Sequence, residues 1–179
     1  GAFVNGALHW VALRKTGNKF LNFVMVFDLG EEVFREIALP KLSDQNGDEY
    51  WVRVSISAYG NSLALFQPGF PGHRLSIWVM KDYADASSWT KIISLDAQAP
   101  PQDIPRPLRG SYRKKIPCAK AFRKSGEVIL ETSRKRLVSR NLETQEVKDL
   151  GITGSKYSFV DPYVESLVLL DKPDLAVTY

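Results

Sequence analysis

Short apolar runs alternate with turn residues along most of the chain. They lie near 2–5, 8–13, 22–29, 33–39, 51–59, 62–67, 74–81, 89–95, 117–122, 127–132, 136–142, 146–152 and 159–170, and are rich in Val, Ile, Phe, Trp and Tyr. Runs of this length and composition, closely punctuated by turns, predict strands. No segment keeps a 3.6-residue apolar period for three turns, so helix is at most a minor component. Asn5-Gly6 between two apolar runs is the strongest hairpin signal, because a type I′ turn needs positive φ at both central residues. Gly60-Asn61 and Ser125-Gly126 stand at similar junctions. The run from Phe23 to Phe27 is apolar at every position, which predicts a strand covered on both faces.

The order of strands repeats. Gly6-Ala7-Leu8-His9-Trp10, then Met25-Val26-Phe27-Asp28, then Phe34-Arg35-Glu36-Ile37 form one series. Gly60 to Leu65, Ile77 to Met80 and Trp89 to Ile92 form a second; Gly126 to Leu130, Val138 to Asn141 and Val147 to Leu150 form a third. Phe34, Trp89 and Val147 are 55 and 58 residues apart, and Ile37, Ile92 and Leu150 keep those spacings. Asp28 and Asn141 each precede their partner by six residues, where an Asx side chain can close a turn onto its own backbone. Four short strands in roughly 50–60 residues is the size of a propeller blade. The expected fold is all-β: a partial, kelch-like β-propeller of about three four-stranded antiparallel blades, with Trp10, Trp78 and Trp89 as wedges between them. The competing architecture is a β-sandwich with fortuitous self-similarity. Three blades do not close a ring, so further blades are expected upstream of Gly1.

Four segments, GAFVNGALHWVA, FDLGEEVFREIALP, WVMKDYADASSWTKI and YVESLVLL, resemble the plant F-box-associated domain, in the branch that includes kelch-type and S-locus pollen F-box proteins. They occur in the family's order, and Tyr163 to Leu167 resembles its terminal signature. The resemblance covers residues 1–170 as one domain; residues 171–179 match nothing and read as a frayed tail. It implies a β-propeller-like substrate receptor of a ubiquitin ligase, whose F-box docks the Skp adaptor and, through it, a cullin. Two features depart from it: these residues contain no F-box, and the double glycine of ordinary kelch repeats is missing. A propeller scaffold for protein–protein interaction, without a ligase link, is the alternative.

Composition narrows the rest. The 179 residues are 44% hydrophobic and 25% charged, which excludes a disordered chain, a coiled coil and a collagen. The longest apolar run, near 23–29, is too short to span a bilayer, and no basic-then-apolar leader opens the chain. One cysteine, Cys118, excludes an internal disulfide framework and favours a reducing compartment, cytoplasmic or nuclear. Catalytic chemistry is sparse. His9 lies in an apolar strand and reads as structural, His73 as a solvated loop residue, and Cys118 as a buried, inert thiol. No second His or Cys stands at metal-ligand spacing, and no nucleophile elbow, P-loop or dinucleotide fingerprint occurs. Asp85 to Trp89 resembles a sialidase Asp-box only faintly, without its glycine, and Glu31-Glu32 is a solvated turn pair rather than an acid and a base flanking a bond. No catalytic residue, metal or cofactor is expected.

Function then rests on surface loops. In a four-stranded blade the second-to-third-strand and blade-to-blade connections share one end, and the remaining turns share the other. Sorted this way, the first end is strongly basic and the second acidic, a polarity hidden within the net charge of +4. The first end includes Arg14, Lys15 and Lys19 as loop residues and a Pro- and Arg-rich connection of 21 residues, 96–116. Arg74, Arg106, Arg109, Arg113, Lys115, Arg134 and Arg136 are the candidate contacts to an acidic or phosphorylated target segment, with Phe70 and Tyr112 as apolar anchors. Nucleic acid is disfavoured because most aromatics lie within strands, and a membrane because no amphipathic basic helix is present.

Overall fold

A computed structural model of the chain describes residues 1–17, 19–42, 54–69, 74–96, 118–132, 134–155 and 160. Among these, twelve strands form three four-stranded antiparallel sheets, each built from consecutive strands. The first holds β1 (Ala2–Val4), β2 (Ala7–Thr16), β3 (Lys19–Asp28) and β4 (Val33–Ala38). The second holds β5 (Ser55–Tyr59), β6 (Ser62–Pro68), β7 (Arg74–Met80) and β8 (Trp89–Asp96). The third holds β9 (Cys118–Phe122), β10 (Val128–Glu131), β11 (Arg136–Arg140) and β12 (Val147–Thr153). A sandwich would exchange strands between layers; here spatial order follows chain order in every sheet. The fold is the expected run of three propeller-type blades. The stretch expected at 159–170 and the tail 171–179 lie outside the described residues, apart from Val160.

Local turn chemistry sets the hairpins. Asn5 and Gly6 have φ of 49° and 74°, as a type I′ turn requires. At the corresponding turn of the second sheet only Gly60 is positive, at 55°, the pattern of a II′ turn. The two predicted Asx turns are present. Asp28 Oδ1 accepts from the Gly30 and Glu31 amides at 2.9 and 3.0 Å, and Asn141 Oδ1 from Glu143 and Thr144 at 2.8 and 3.0 Å. Between β7 and β8, Asp85 caps a short 3₁₀ turn (Ala86–Ser88), accepting from the Ser87 amide at 2.8 Å. The preceding Ala84 is exposed with φ of 67°, a conformation its Cβ disfavours. Ala84→Gly is expected to raise stability by about 0.5–1 kcal/mol; an unchanged or lower urea midpoint would contradict that.

Burial follows the pleat. On β6, Leu63 and Leu65 point to one side and Ala64 and Phe66 to the other. The first pair joins Val24, Val26 and Ile37 of the first sheet and Met80 and Trp89 of the second in one core. Ala64 and Phe66 join Ile77 and Val79 with Phe122, Val128 and Leu130 of the third sheet in another. Each fully buried Leu or Phe contributes roughly 1.5–3 kcal/mol relative to exposure. The sheets stack with one polarity. Asn5 Nδ2 donates to Asn61 O at 3.0 Å between two corresponding turns, and Tyr59 packs edge-on against Phe122, centroids 4.8 Å apart.

Three expectations need correction. The strands covered on both faces are β6 and β7 of the middle sheet, not the run Phe23 to Phe27. There Phe23, Val24 and Val26 are buried, but Met25 and Phe27 lie half-buried on the first sheet's open side. Trp89 is an inter-sheet wedge, its Nε1 donating to Ala38 O at 3.0 Å, and Trp78 packs against the same core; Trp10 points to the open side instead. Cys118 is exposed rather than buried, because it opens β9, the edge strand of its sheet. His9 is structural as expected: buried, with Nδ1 3.3 Å from Ala2 O and Nε2 2.9 Å from the Tyr83 hydroxyl.

Candidate protein-docking surface

The up-and-down order of each sheet gathers the β2–β3, β6–β7 and β10–β11 connections at one end, with the connections between sheets. Phe70, Arg106, Arg109, Tyr112, Arg113 and Lys115 lie outside the described residues. The remaining three predicted contacts fall at this end. Arg74 opens β7, and its carbonyl accepts from the Gly69 amide at 2.6 Å. Arg134 is exposed in the β10–β11 turn, and Arg136 opens β11, paired with Asp149 of β12.

The structure moves part of the expected basic loop into strands. Arg14 and Lys15 belong to β2, paired with Leu21 and Phe20 of β3 around the Gly17 turn, whose φ is 61°. Arg14 is also committed: its guanidinium lies 4.9 Å from the Phe23 ring centroid and pairs with Glu36. Such cation–aromatic contact is worth roughly 0.5–1 kcal/mol when exposed. Lys135 donates to Glu131 Oε1 at 2.6 Å, and Lys120 lies 2.9 Å from Oε2. The two lysines hold that buried carboxyl below the usual glutamate range. The end is thus less positive than a count of residues implies.

Residue counting missed an apolar cavity at this same end. β2 and β3 are each 10 residues long, against 7 for β6 and β7 and 4 and 5 for β10 and β11. Their hairpin therefore projects past β4, whose last residue, Ala38, pairs with Phe23. Pro40 follows, and a proline cannot donate to a continuing ladder. The gap is a cavity of about 530 Å³, lined mainly by Phe20, Leu21, Phe23, Leu39, Pro40 and Leu42, with Glu36 and Asn22 as polar members. Phe20 and Leu21 are exposed at its rim. The signal was present in Phe20-Leu21-Asn22-Phe23: apolar residues at both parities of a strand cannot all face one core.

The opposite end is acidic and built from self-anchored turns. Glu31, Glu32, Asp82, Asp85, Glu143 and Glu146 are exposed there. Backbone amides of Glu31 and Gly30 hold Asp28 below the usual carboxylate range, and Ser87 does the same for Asp85. These carboxyls organise turns. Among the described residues no group of three or more His, Cys, Asp or Glu side chains could hold a metal ion, and no helix is long and apolar enough to cross a membrane.

Residues 1–170 match the F-box associated beta propeller domain family. The chain belongs to that family. It is similar to three Arabidopsis thaliana proteins: F-box protein CPR1 is 28% identical over 98% of this chain and 40% of its own length. F-box protein At3g07870 is 29% identical over 83% of this chain and 36% of its own, and F-box protein At4g22390 is 25% identical over 97% and 40%. The F-box-associated chain thus spans about two-fifths of these relatives. No solved structure matches it.

Proposed function

We propose that this domain is the target-binding part of an F-box protein, the receptor subunit of a Skp–cullin–F-box ubiquitin ligase of the cytoplasm or nucleus. Family membership over residues 1–170 is the observation that carries the reading, together with relatives named as F-box proteins. The domain supplies no bond chemistry. It holds a target near a ubiquitin donor, and an F-box outside these residues contacts the Skp adaptor. Proximity of this kind raises the effective concentration of target lysines without any new catalytic group.

The target lies across the first end of the sheets as an acidic or phosphorylated segment. Arg74, Arg134 and Arg136, with Arg106, Arg109, Arg113 and Lys115, supply charge-assisted hydrogen bonds. One bulky apolar side chain of the target enters the cavity beside Phe20 and Leu21, and Phe70 and Tyr112 are further anchors. The test compares full-length protein with two variants, Leu21→Asp and the triple change R109E/R113E/K115E. Each is expected to reduce recovery of ubiquitinated targets at least tenfold, about 1.4 kcal/mol of binding, while Skp adaptor recovery and melting stay unchanged. Undiminished target recovery in both variants would overturn the reading.

A further inference from the structure

The cavity beside Phe20 and Leu21 lies in the plane of the first sheet. Among the described residues β3 pairs with β4 only from Phe23 to Asp28, although its ladder with β2 runs on to Lys19. Leu21 and Phe23 share one parity of β3 and Phe20 has the other, yet all three line the gap. A pocket on one face of a sheet shows a single parity; a gap at its edge shows both. The Leu29 amide donates to Gly6 O at 3.2 Å, which makes Gly6 and Leu29 a hydrogen-bonded pair. Such pairs alternate along an antiparallel ladder, so Arg14 and Leu21 exchange hydrogen bonds while Lys15 and Phe20 do not. Phe20 therefore turns its backbone N–H and C=O outward, to the side where β4 has ended, and neither has a partner among the described residues. An open strand edge of this kind is a template for another chain.

We propose that an acidic, extended segment of the target adds to this edge as a short antiparallel strand in line with β4. The inference rests on the target-binding reading of this end and names how the target is held. One partner residue exchanges backbone hydrogen bonds with Phe20, the mode of strand addition to a sheet edge. Its side chain turns to the side of Phe20 and Lys15, and its two neighbours turn to the side of Leu21 and Phe23. Charge selects the occupant. Lys15 and Lys41 are exposed beside the gap with no acidic partner among the described residues. Glu36, the carboxylate in the lining, is already neutralised by Arg14. The partner is thus acidic on the Lys15 side and apolar on the Leu21 side. A second copy of this chain fits poorly. Joining two such edges would gather Lys15 and Lys41 of both copies around one seam, like charge facing like.

The test uses the full-length protein and a fluorescent peptide of alternating glutamate and isoleucine, with an analogue N-methylated along its backbone but identical in side chains. Phe20→Pro removes the outward N–H, which the β2 ladder does not use and an edge strand tolerates; Phe20→Leu keeps it. The peptide is expected to bind the parent and Phe20→Leu within about twofold of each other, and Phe20→Pro about tenfold more weakly. N-methylation is expected to cost the parent the same factor. Amide exchange needs no substitution: bound peptide is expected to slow exchange at Phe20 about tenfold and leave Leu21, already bonded to β2, unchanged. A peptide that fails to bind, binds equally well N-methylated, or leaves Phe20 exchange unaltered would overturn the proposal. So would equal losses in Phe20→Leu and Phe20→Pro, or self-association of the protein that the peptide displaces. Recovery of ubiquitinated targets that falls in Leu21→Asp but stays full in Phe20→Pro would overturn strand addition alone and leave target binding at this end standing.

Discussion

Phe66→Ala will destabilise the folded chain by about 3–5 kcal/mol, the range for removing a fully enclosed aromatic. Phe66 is buried on β6 in the core shared by the second and third sheets. Its ring stacks on Phe122 with centroids 5.7 Å apart and planes 21° from parallel, and Phe122 in turn meets Tyr59 edge-on. The lost ring leaves a cavity between two sheets whose backbones are fixed by their own ladders, so collapse can refill only part of it. The comparison is Phe34→Ala, the same change on the uncovered face. It removes contacts with Phe27 and Trp10 alone and is expected to cost about 0.5–1 kcal/mol in the 179-residue chain. Urea denaturation of both variants measures the difference. A loss below about 1 kcal/mol for Phe66→Ala would mean that the second and third sheets do not share a core.

That contrast also shows what the sequence makes legible. Strand positions were readable because alternation and turn residues are local: Asn5-Gly6, Asp28 and Asn141 specify hairpin geometry within a few residues. The blade repeat was readable because each sheet is built from neighbours in the chain, so a spacing such as Phe34 to Trp89 carries the architecture. Which strand is enclosed was not readable. The run Phe23 to Phe27 and the run Leu63 to Phe66 look alike in composition, and only the stacking order decides that β6 has a sheet on either side. Cys118 misled for a similar reason, since Pro117-Cys118-Ala119 says nothing about strand rank within a sheet.

The docking end was half legible. Topology alone places Arg74, Arg134 and Arg136 at one end, and the described residues agree. Charge counting overstated their freedom. Arg14 stacks on Phe23 and Arg136 meets Asp149, pairings set by strand register, while Lys135 meets Glu131 four residues away across the β10–β11 turn. The cavity beside Phe20 and Leu21 needed two facts no composition contains: the β2–β3 ladder runs to the Gly17 turn, and β4 stops before Pro40.

Stability will fall as pH drops below about 6.5, the ordinary histidine value, and His9 will account for the slope. Its Nδ1–H donates to Ala2 O, so Nε2 accepts from the Tyr83 hydroxyl across the boundary between the first two sheets. Burial disfavours the charged ring and lowers its pKa, outweighing the backbone acceptors that favour it. Between the ordinary value and the lowered one, the unfolded chain binds a proton that the folded chain refuses, so the loss grows as pH falls through that interval and is absent above it. One such proton gives a slope of at most about 1.4 kcal/mol per pH unit. Asp28, Asp85, Glu127 and Glu131 also titrate low, so they remain ionised in this window and act only in stronger acid. His9→Gln keeps an amide donor and acceptor in place without the titration. Urea midpoints between pH 5.5 and 7.5 are expected to slope in the parent chain and lie flat in the variant. An equal slope in both would assign the effect to His73 or another group and remove His9 as the proton-sensitive clasp between the sheets.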